Sequence, residues 1–291
     1  MIQDNSRTPR FVTGDADLLG AIPNVIPVCE GETDLYSRTL GFVTESEQRL
    51  IREVIGEEYV DGLNDGPDCP AFAAARAVVA NDALLHALAS LNVTLTPNGL
   101  ATAGTQELVP ASAARTAELR KQLTDCRDLA MDTLKESLAS GAEGWAAGRQ
   151  GRAALATVFF RNRDAAVLGI TENRMATLHG AEPAIAAAQD YIADRWLSPE
   201  LIRAAILSEA GVTEEPERRR DSLRKLLRTV QNEVASMIAG KPCDEARMLR
   251  TVDRIRRFPG DYREWFDSDT AREFHQPSFR NDRNASGYFF P

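Results

Sequence analysis

Apolar residues along this chain recur mostly at steps of three and four, the spacing that gathers them on one face of an α-helix. The clearest stripe is Leu119, Leu123, Cys126, Ala130 and Leu134, which predicts an amphipathic helix of about seven turns. Ser112 stands where an N-cap belongs and Gly141 where the helix should stop. Pro70 to Leu91 reads as a long Ala-rich helix with Phe72, Val79, Leu84, Leu88 and Leu91 available for burial. Residues 215–239 carry Leu223, Leu227, Val230, Val234 and Met237, and residues 244–258 carry Met248, Val252, Ile255 and Phe258. Joined by the short "GKPCDE", these two segments predict an antiparallel pair. A further helix is expected from Thr44, with Glu47 three residues on and Gly56 as its stop. Another runs from Glu182 to Trp196 with Ile185, Ala188 and Ile192 on one face, and the next is capped by Ser198 with Pro199 at its first position. Between residues 143 and 180 the pattern weakens. "ALATVFF" fits a short strand or a helix start, "ITENRMATLHG" a short helix, and "PGDYREWFDSDTAREF" one or two more.

Strict alternation is confined to "NVTLTPNGLATAG". Val93 and Leu95 alternate with Thr94 and Thr96, and Pro97, Asn98 and Gly99 form a strong turn signal, with Gly99 suited to positive φ. The expected fold is therefore mainly α: a helical bundle with one small β-hairpin inserted between long helices, and extended N- and C-terminal arms. The expected boundaries are an irregular arm over 1–43, a helical domain over 44–141 with the hairpin at 93–105, a second helical domain over 142–275, and an extended tail over 276–291. No internal repeat is evident. The hairpin turn at Pro97, Asn98 and Gly99 is a candidate contact to a neighbouring subunit, beside its simpler role of joining two helices.

Charge changes the picture more than composition does. The 291 residues carry a net −9, but residues 1–70 hold fourteen Asp and Glu against five Arg, while residues 216–257 hold twelve Lys and Arg against six Asp and Glu. Such a split fits solvated helix faces of differing sign, or opposite ends that meet in an assembly. No stretch reads as a transmembrane span or a signal peptide. The four cysteines (Cys29, Cys69, Cys126, Cys243) are scattered and read as reduced thiols.

Phosphate-binding and nucleophile-elbow motifs are missing. His86, His179 and His275 lack partners at ligand spacing, so no metal or cofactor is expected, and His86 reads as a partly buried structural residue. Glu57, Glu58 and Asp61 read as solvated acids, and Glu143, Trp145 and Arg149 as loop residues with no nucleophile beside them. The basic "ERRRDSLRKLLR" mixes its arginines with acids in an acidic chain, which speaks against sequence-specific DNA binding. A non-enzymatic protein is the expectation. The segment "FRNDRNASGYFFP" poses a separate question, since Tyr288, Phe289 and Phe290 follow a polar tether and left in water would forgo roughly 1.5–3 kcal/mol of burial each. They are candidate anchors on a partner.

Two blocks carry a resemblance: "LNVTLTPNGLATAGTQELVPASAARTAELRKQL" and "FPGDYREWFDSDTAREFHQPSFRNDRNASGYFFP". The first resembles an element of a family of phage and prophage head–tail connector (neck, adaptor) proteins, in which a long helix runs into a V-x-L-T-P-N-G hairpin and P-A-S opens the next. The second is similar to that family's W-x-x-S-x-x-A-x-x-F stretch, here Trp265, Ser268, Ala271 and Phe274, followed by a tail with Phe289 and Phe290. The resemblance implies a structural virion protein forming a ring of about twelve subunits at the portal vertex. It would be assembled in the host bacterial cytoplasm and reside at the head–tail interface of the virion. The implied partners are further copies of itself, the portal protein and tail or other neck proteins, with DNA only as transiting cargo and no membrane. A tail-completion factor or another phage or cellular interaction protein remains the alternative.

Overall fold

The computed structural model describes residues 8–21, 35–63, 69–91, 93–96, 99–102 and 112–275. Helices dominate them: α1 Asp15–Ala21, α2 Leu35–Leu50, α3 Glu57–Val60, α4 Pro70–Leu91, α5 Ala113–Gly141, α6 Arg149–Ala154, α7 Arg174–Ile192, α8 Pro199–Glu209, α9 Glu217–Ile238, α10 Glu245–Arg257, α11 Arg263–Phe266 and α12 Asp269–His275. Two short segments, β1 Val93–Thr96 and β2 Gly99–Thr102, pair antiparallel with Val93 opposite Thr102 and Thr96 opposite Gly99. This pairing stops short of the expected 93–105. Pro97 and Asn98, which would make the turn, lie outside the described residues.

The first unit is built around α4, which lies against α2 on one side and α5 on the other. By length and composition α4 could cross a membrane, but 72% of its apolar window is buried in the protein's own interior. Ala74, Ala75, Ala80, Ala83 and Ala87 line its buried faces, and their small side chains permit close helix approach. The expected caps hold for α5: Ser112 accepts the amide of Arg115, and the helix ends at Gly141 after 29 residues, about eight turns.

Within 1–43, the described residues 8–21 and 35–43 include helix and are not an irregular arm. Helix α2 begins at Leu35 rather than Thr44. Its buried positions Thr39, Val43, Ser46, Glu47 and Leu50 extend the stripe backwards, and the carboxylate of Asp15 accepts the amide of Tyr36 in its first turn. Thr44 is no cap, since its hydroxyl bonds back to Leu40 O within the helix. Glu47 is no capping-box partner either. It accepts the amides of Arg10 (2.8 and 2.9 Å) and Phe11 (2.9 Å) and so fastens residues 8–13 to the bundle. Phe11, Val12 and Leu18 are fully buried, and the Phe11 ring meets Phe72 edge-on.

The chain divides between Pro183 and Ala184, with Ala210–Thr213 belonging to the first unit, and not near residue 141. Residues 142–170 explain the difference. Trp145 is fully buried and its indole N–H donates to Val54 O and Ile55 O, at 3.0 and 3.1 Å. "ALATVFF" is no strand, and after Ala154, the last residue of α6, it is not helix either. Leu155, Val158, Phe159 and Phe160 are buried in irregular backbone, while Asp132 accepts the amides of Asn162 and Arg163 and Lys135 donates to Phe160 O. Side chains of α5 thus supply the bonds that a strand ladder would have made.

Both units follow one plan, which corrects the expectation of no repeat. Each contains a π-helical turn of five residues at the end of a long helix: α2 runs into Ile51–Ile55, and α7, which crosses the division, into Ala193–Leu197. Each turn closes on a residue of positive φ, Gly56 at 92° and Ser198 at 77°. Its amide donates 2.8 Å to the first carbonyl of the turn, Ile51 O or Ala193 O. A short helix and two longer ones follow: α3, α4 and α5 in the first unit, α8, α9 and α10 in the second. A buried tryptophan then returns to the turn. Trp265 Nε1 donates 2.9 Å to Trp196 O, as Trp145 does to Val54 and Ile55. Three residues beyond each tryptophan stands the N-cap of another short helix, Gly148 before α6 and Ser268 before α12, and each donates its amide to the tryptophan carbonyl. Six residues beyond stands a small residue, Gly151 or Ala271. A Cβ on Gly151 would lie 2.1 Å from Trp145 O. The repeated sequence signal is thus W-x-x-[GS]-x-x-[GA].

Candidate functional site

Both units bury charged side chains among their helices. In the first, Asp82 on α4 accepts from Ser46 of α2 at 2.7 Å, pairs with Arg49, and lies 3.4 Å from Arg127 of α5. Arg127 also holds the buried Asp128 at 2.8 Å. One turn on, Asp132 binds the two amides of residues 162 and 163, and Arg161 pairs with Asp164 at 3.0 Å. Burial raises the Asp132 carboxyl above its ordinary value, partly offset by those two amides. Burial likewise lowers Lys135, while Asp132, Glu182, Asp128 and Asp164 pull it back. These groups hold one another and backbone atoms, which makes them cross-ties between α2, α4, α5 and the irregular segment.

In the second unit Glu233 is buried and accepts from Arg247 at 2.7 Å and from the Asp244 amide at 3.0 Å, and Arg219 is buried as well. Its side chain is 6% exposed and binds Glu215 at 2.7 Å, Glu264 at 2.6 and 2.8 Å, and Asp261 O. Burial would raise Glu264, but its hydrogen bonds from backbone and Arg219 outweigh it and hold the carboxyl below its ordinary range. Of the three consecutive arginines, then, one is an internal tie and two lie at the surface. On α10, Met248, Val252 and Ile255 are buried while Arg250, Arg254 and Arg257 share the opposite, exposed face. Cys243 sits beside Glu233, and burial with that carboxylate pushes its thiol up to about 11.

A cleft of about 560 Å³ opens in the first unit between α3, the start of α4 and the end of α5. Tyr59, Leu63, Pro70 and Leu138 give it apolar walls, Glu58 and Glu143 are exposed acids at its edge, and Cys69 lies within it. Glu57 and Asp61, on the same short helix and the turn after it, are exposed as well, with Asp61 in contact with Arg10.

The residues singled out from sequence are placed unevenly. Tyr288, Phe289 and Phe290 lie outside the described residues, as do Pro97 and Asn98, while Gly99 opens β2. His86 is exposed, with Arg49 at 3.2 Å and Asp82 at 3.8 Å, and not the partly buried residue expected. Trp265, Ser268, Ala271 and Phe274 come together, but as core. The first three are buried, and Phe274 tilts against Trp265 at 6.1 Å. Among the described residues no three His, Cys, Asp or Glu side chains form a group that could hold a metal ion. Sequence reading missed Asp82, Asp128, Asp132 and Arg219. Asp82 stands between apolar positions of its helix, a signal that could have marked it as a buried charge, and Arg219 is one turn before Leu223 on the buried stripe of α9.

Residues 24–153 match a family model described as a family of unknown function (DUF6712). The match covers less than half of the chain and ends one residue before the end of α6. It therefore spans the first unit's α2-to-α6 plan and leaves the second occurrence of that plan unmatched. No curated protein and no solved structure matches the chain.

Proposed function

We propose that this protein is a non-enzymatic structural adaptor that associates with copies of itself through faces of opposite charge. In this reading it is a head–tail connector, ringing the portal vertex, joining portal to tail or other neck proteins and letting DNA pass. The observation that carries the self-association is the pair of charged surfaces: the exposed Arg250, Arg254 and Arg257 face of α10 in the second unit, and the exposed Glu57, Glu58, Asp61 and Glu143 in the first. A ring needs a heterologous interface, in which one surface of a subunit meets a different one on the next. An acidic patch on one unit and a basic helix face on the other supply such a pair. The connector part rests on the resemblance of the hairpin block and the W-x-x-S-x-x-A-x-x-F block. The hairpin turn at Pro97, Asn98 and Gly99 and the aromatic tail are the reaching elements of this adaptor.

Sedimentation velocity across a salt series, with electron microscopy of the same samples, tests the reading. Ring-shaped particles at low salt that dissociate as salt rises are expected, because exposed charges are screened beyond about 8 Å at physiological ionic strength. A monomer at every salt concentration, or assembly strengthened by salt, refutes it.

A further inference from the structure

We infer that the cleft beside α3 receives the aromatic tail of a second copy of this chain. The inference rests on the self-association reading above and names the receiving site. Three observations point to it. The cleft's walls are apolar and include an aromatic ring, Tyr59, while its edge carries Glu58 and Glu143. At about 560 Å³ it falls within the range of pockets that bury small aromatic groups. The tail offers a complementary pattern: Arg280 and Arg283, a net single positive charge with Asp282 between them, followed by three rings, Tyr288, Phe289 and Phe290.

Reach is sufficient. Twelve residues, 276–287, lie between His275, the last of α12, and Tyr288, thirteen steps of chain. Extended, they span roughly 45 Å, enough to leave one subunit and enter its neighbour. A polar tether of this kind raises the effective concentration of the rings at the neighbour's cleft without a large interface. Aromatic side chains seated in a walled pocket are also the usual anchors of protein contacts. The two acids at the edge set direction, favouring the arginines outside and the rings within.

Cys69 makes the test specific, because it lies in the cleft and needs no engineering. In a background with Cys29, Cys126 and Cys243 changed to Ser, two proteins are prepared. One keeps Cys69 and the natural tail, and the other carries Cys69→Ser and Phe290→Cys. The two are mixed and oxidised, and the products are separated without reductant. A disulfide-linked pair containing one chain of each kind is expected. In parallel, a labelled peptide of residues 279–291 should bind tail-truncated protein saturably, and Glu58→Lys with Glu143→Lys should weaken it about ten-fold or more.

A single chain carrying both Cys69 and Phe290→Cys that links only within itself, while the mixture gives no linked pair, overturns the inference in favour of an internal dock. No link in either format and no peptide binding overturns the cleft as the receiving site. The wild-type sedimentation profile separates the two readings. Rings without a link sink only the cleft, whereas a monomer that still binds the peptide sinks ring formation and keeps the cleft.

Discussion

Trp145→Phe removes one hydrogen-bond donor and part of one ring, and its cost can be worked from the geometry. The indole N–H serves two backbone carbonyls, Val54 O and Ile55 O, at the end of the first π-helical turn. Directly after it, Gly56 at φ 92° takes the chain out of the helix. Phe keeps most of the apolar burial at a fully buried position but leaves these acceptors without their donor. An unsatisfied buried polar group costs about 1–3 kcal/mol. The space left by the lost ring atoms, methyl-sized or larger, adds about 1 kcal/mol. The sum, roughly 2–4 kcal/mol, is a large fraction of the 5–15 kcal/mol typical of a folded domain. Urea unfolding followed by far-ultraviolet circular dichroism should show the first transition moved to lower denaturant by that amount. Trp265→Phe, which removes the bond to Trp196 O, should destabilise the second unit in the same direction. A Trp145→Phe protein that unfolds within about 0.5 kcal/mol of wild type, inside the range of a bland surface change, refutes the clip as a stabilising element.

Gly151→Ala should be still more disruptive, since its methyl would sit 2.1 Å from Trp145 O and 2.7 Å from Ala146 Cα. The expected cost is about 3 kcal/mol or more, read as loss of soluble protein or of thermal stability. Unchanged solubility and melting would remove the close approach. Acid should weaken the second unit through Glu264. Its folded carboxyl titrates below its ordinary 4.5, so its contribution is complete above that value and is lost as pH falls through the lower, folded value. Arg219→Met should flatten that part of the stability–pH profile, and an unchanged profile would contradict the assignment.

Sequence patterning located the long helices well where local signals agreed with packing. Pro70–Leu91 has alanines and apolar residues on every side, which is what a helix buried between two others requires. The Ser112 and Ser198 caps rest on side-chain bonds confined to one turn of chain, so they need no tertiary knowledge. The failures arise where a distant residue supplies the bond. The first turn of α2 depends on Asp15, twenty-one residues before Tyr36, and the burial of Trp145 on carbonyls ninety residues earlier. The repeated plan was hidden for a similar reason. What the units share is one tryptophan with two small residues after it and one positive-φ position, while the helices between differ in length. Of the cleft, only its acids stood out in the sequence, because its walls come from three separate helices.

The π-helical turns have a consequence for how this chain can vary. A turn closed from one residue to the fifth beyond it holds one residue more than an α-helical turn. That extra residue rotates everything after it by about 100° around the helix axis. Losing any one residue between Ile51 and Ile55, or between Ala193 and Leu197, would make the helix regular and swing Gly56 or Ser198 away from its tryptophan. In descendants of an ancestral sequence, single-residue gaps at these two places should therefore be accompanied by loss of the matching Trp145 or Trp265, while gaps elsewhere on the surface need not be. Length at two points and aromatic identity some seventy to ninety residues downstream are thereby inherited as linked characters.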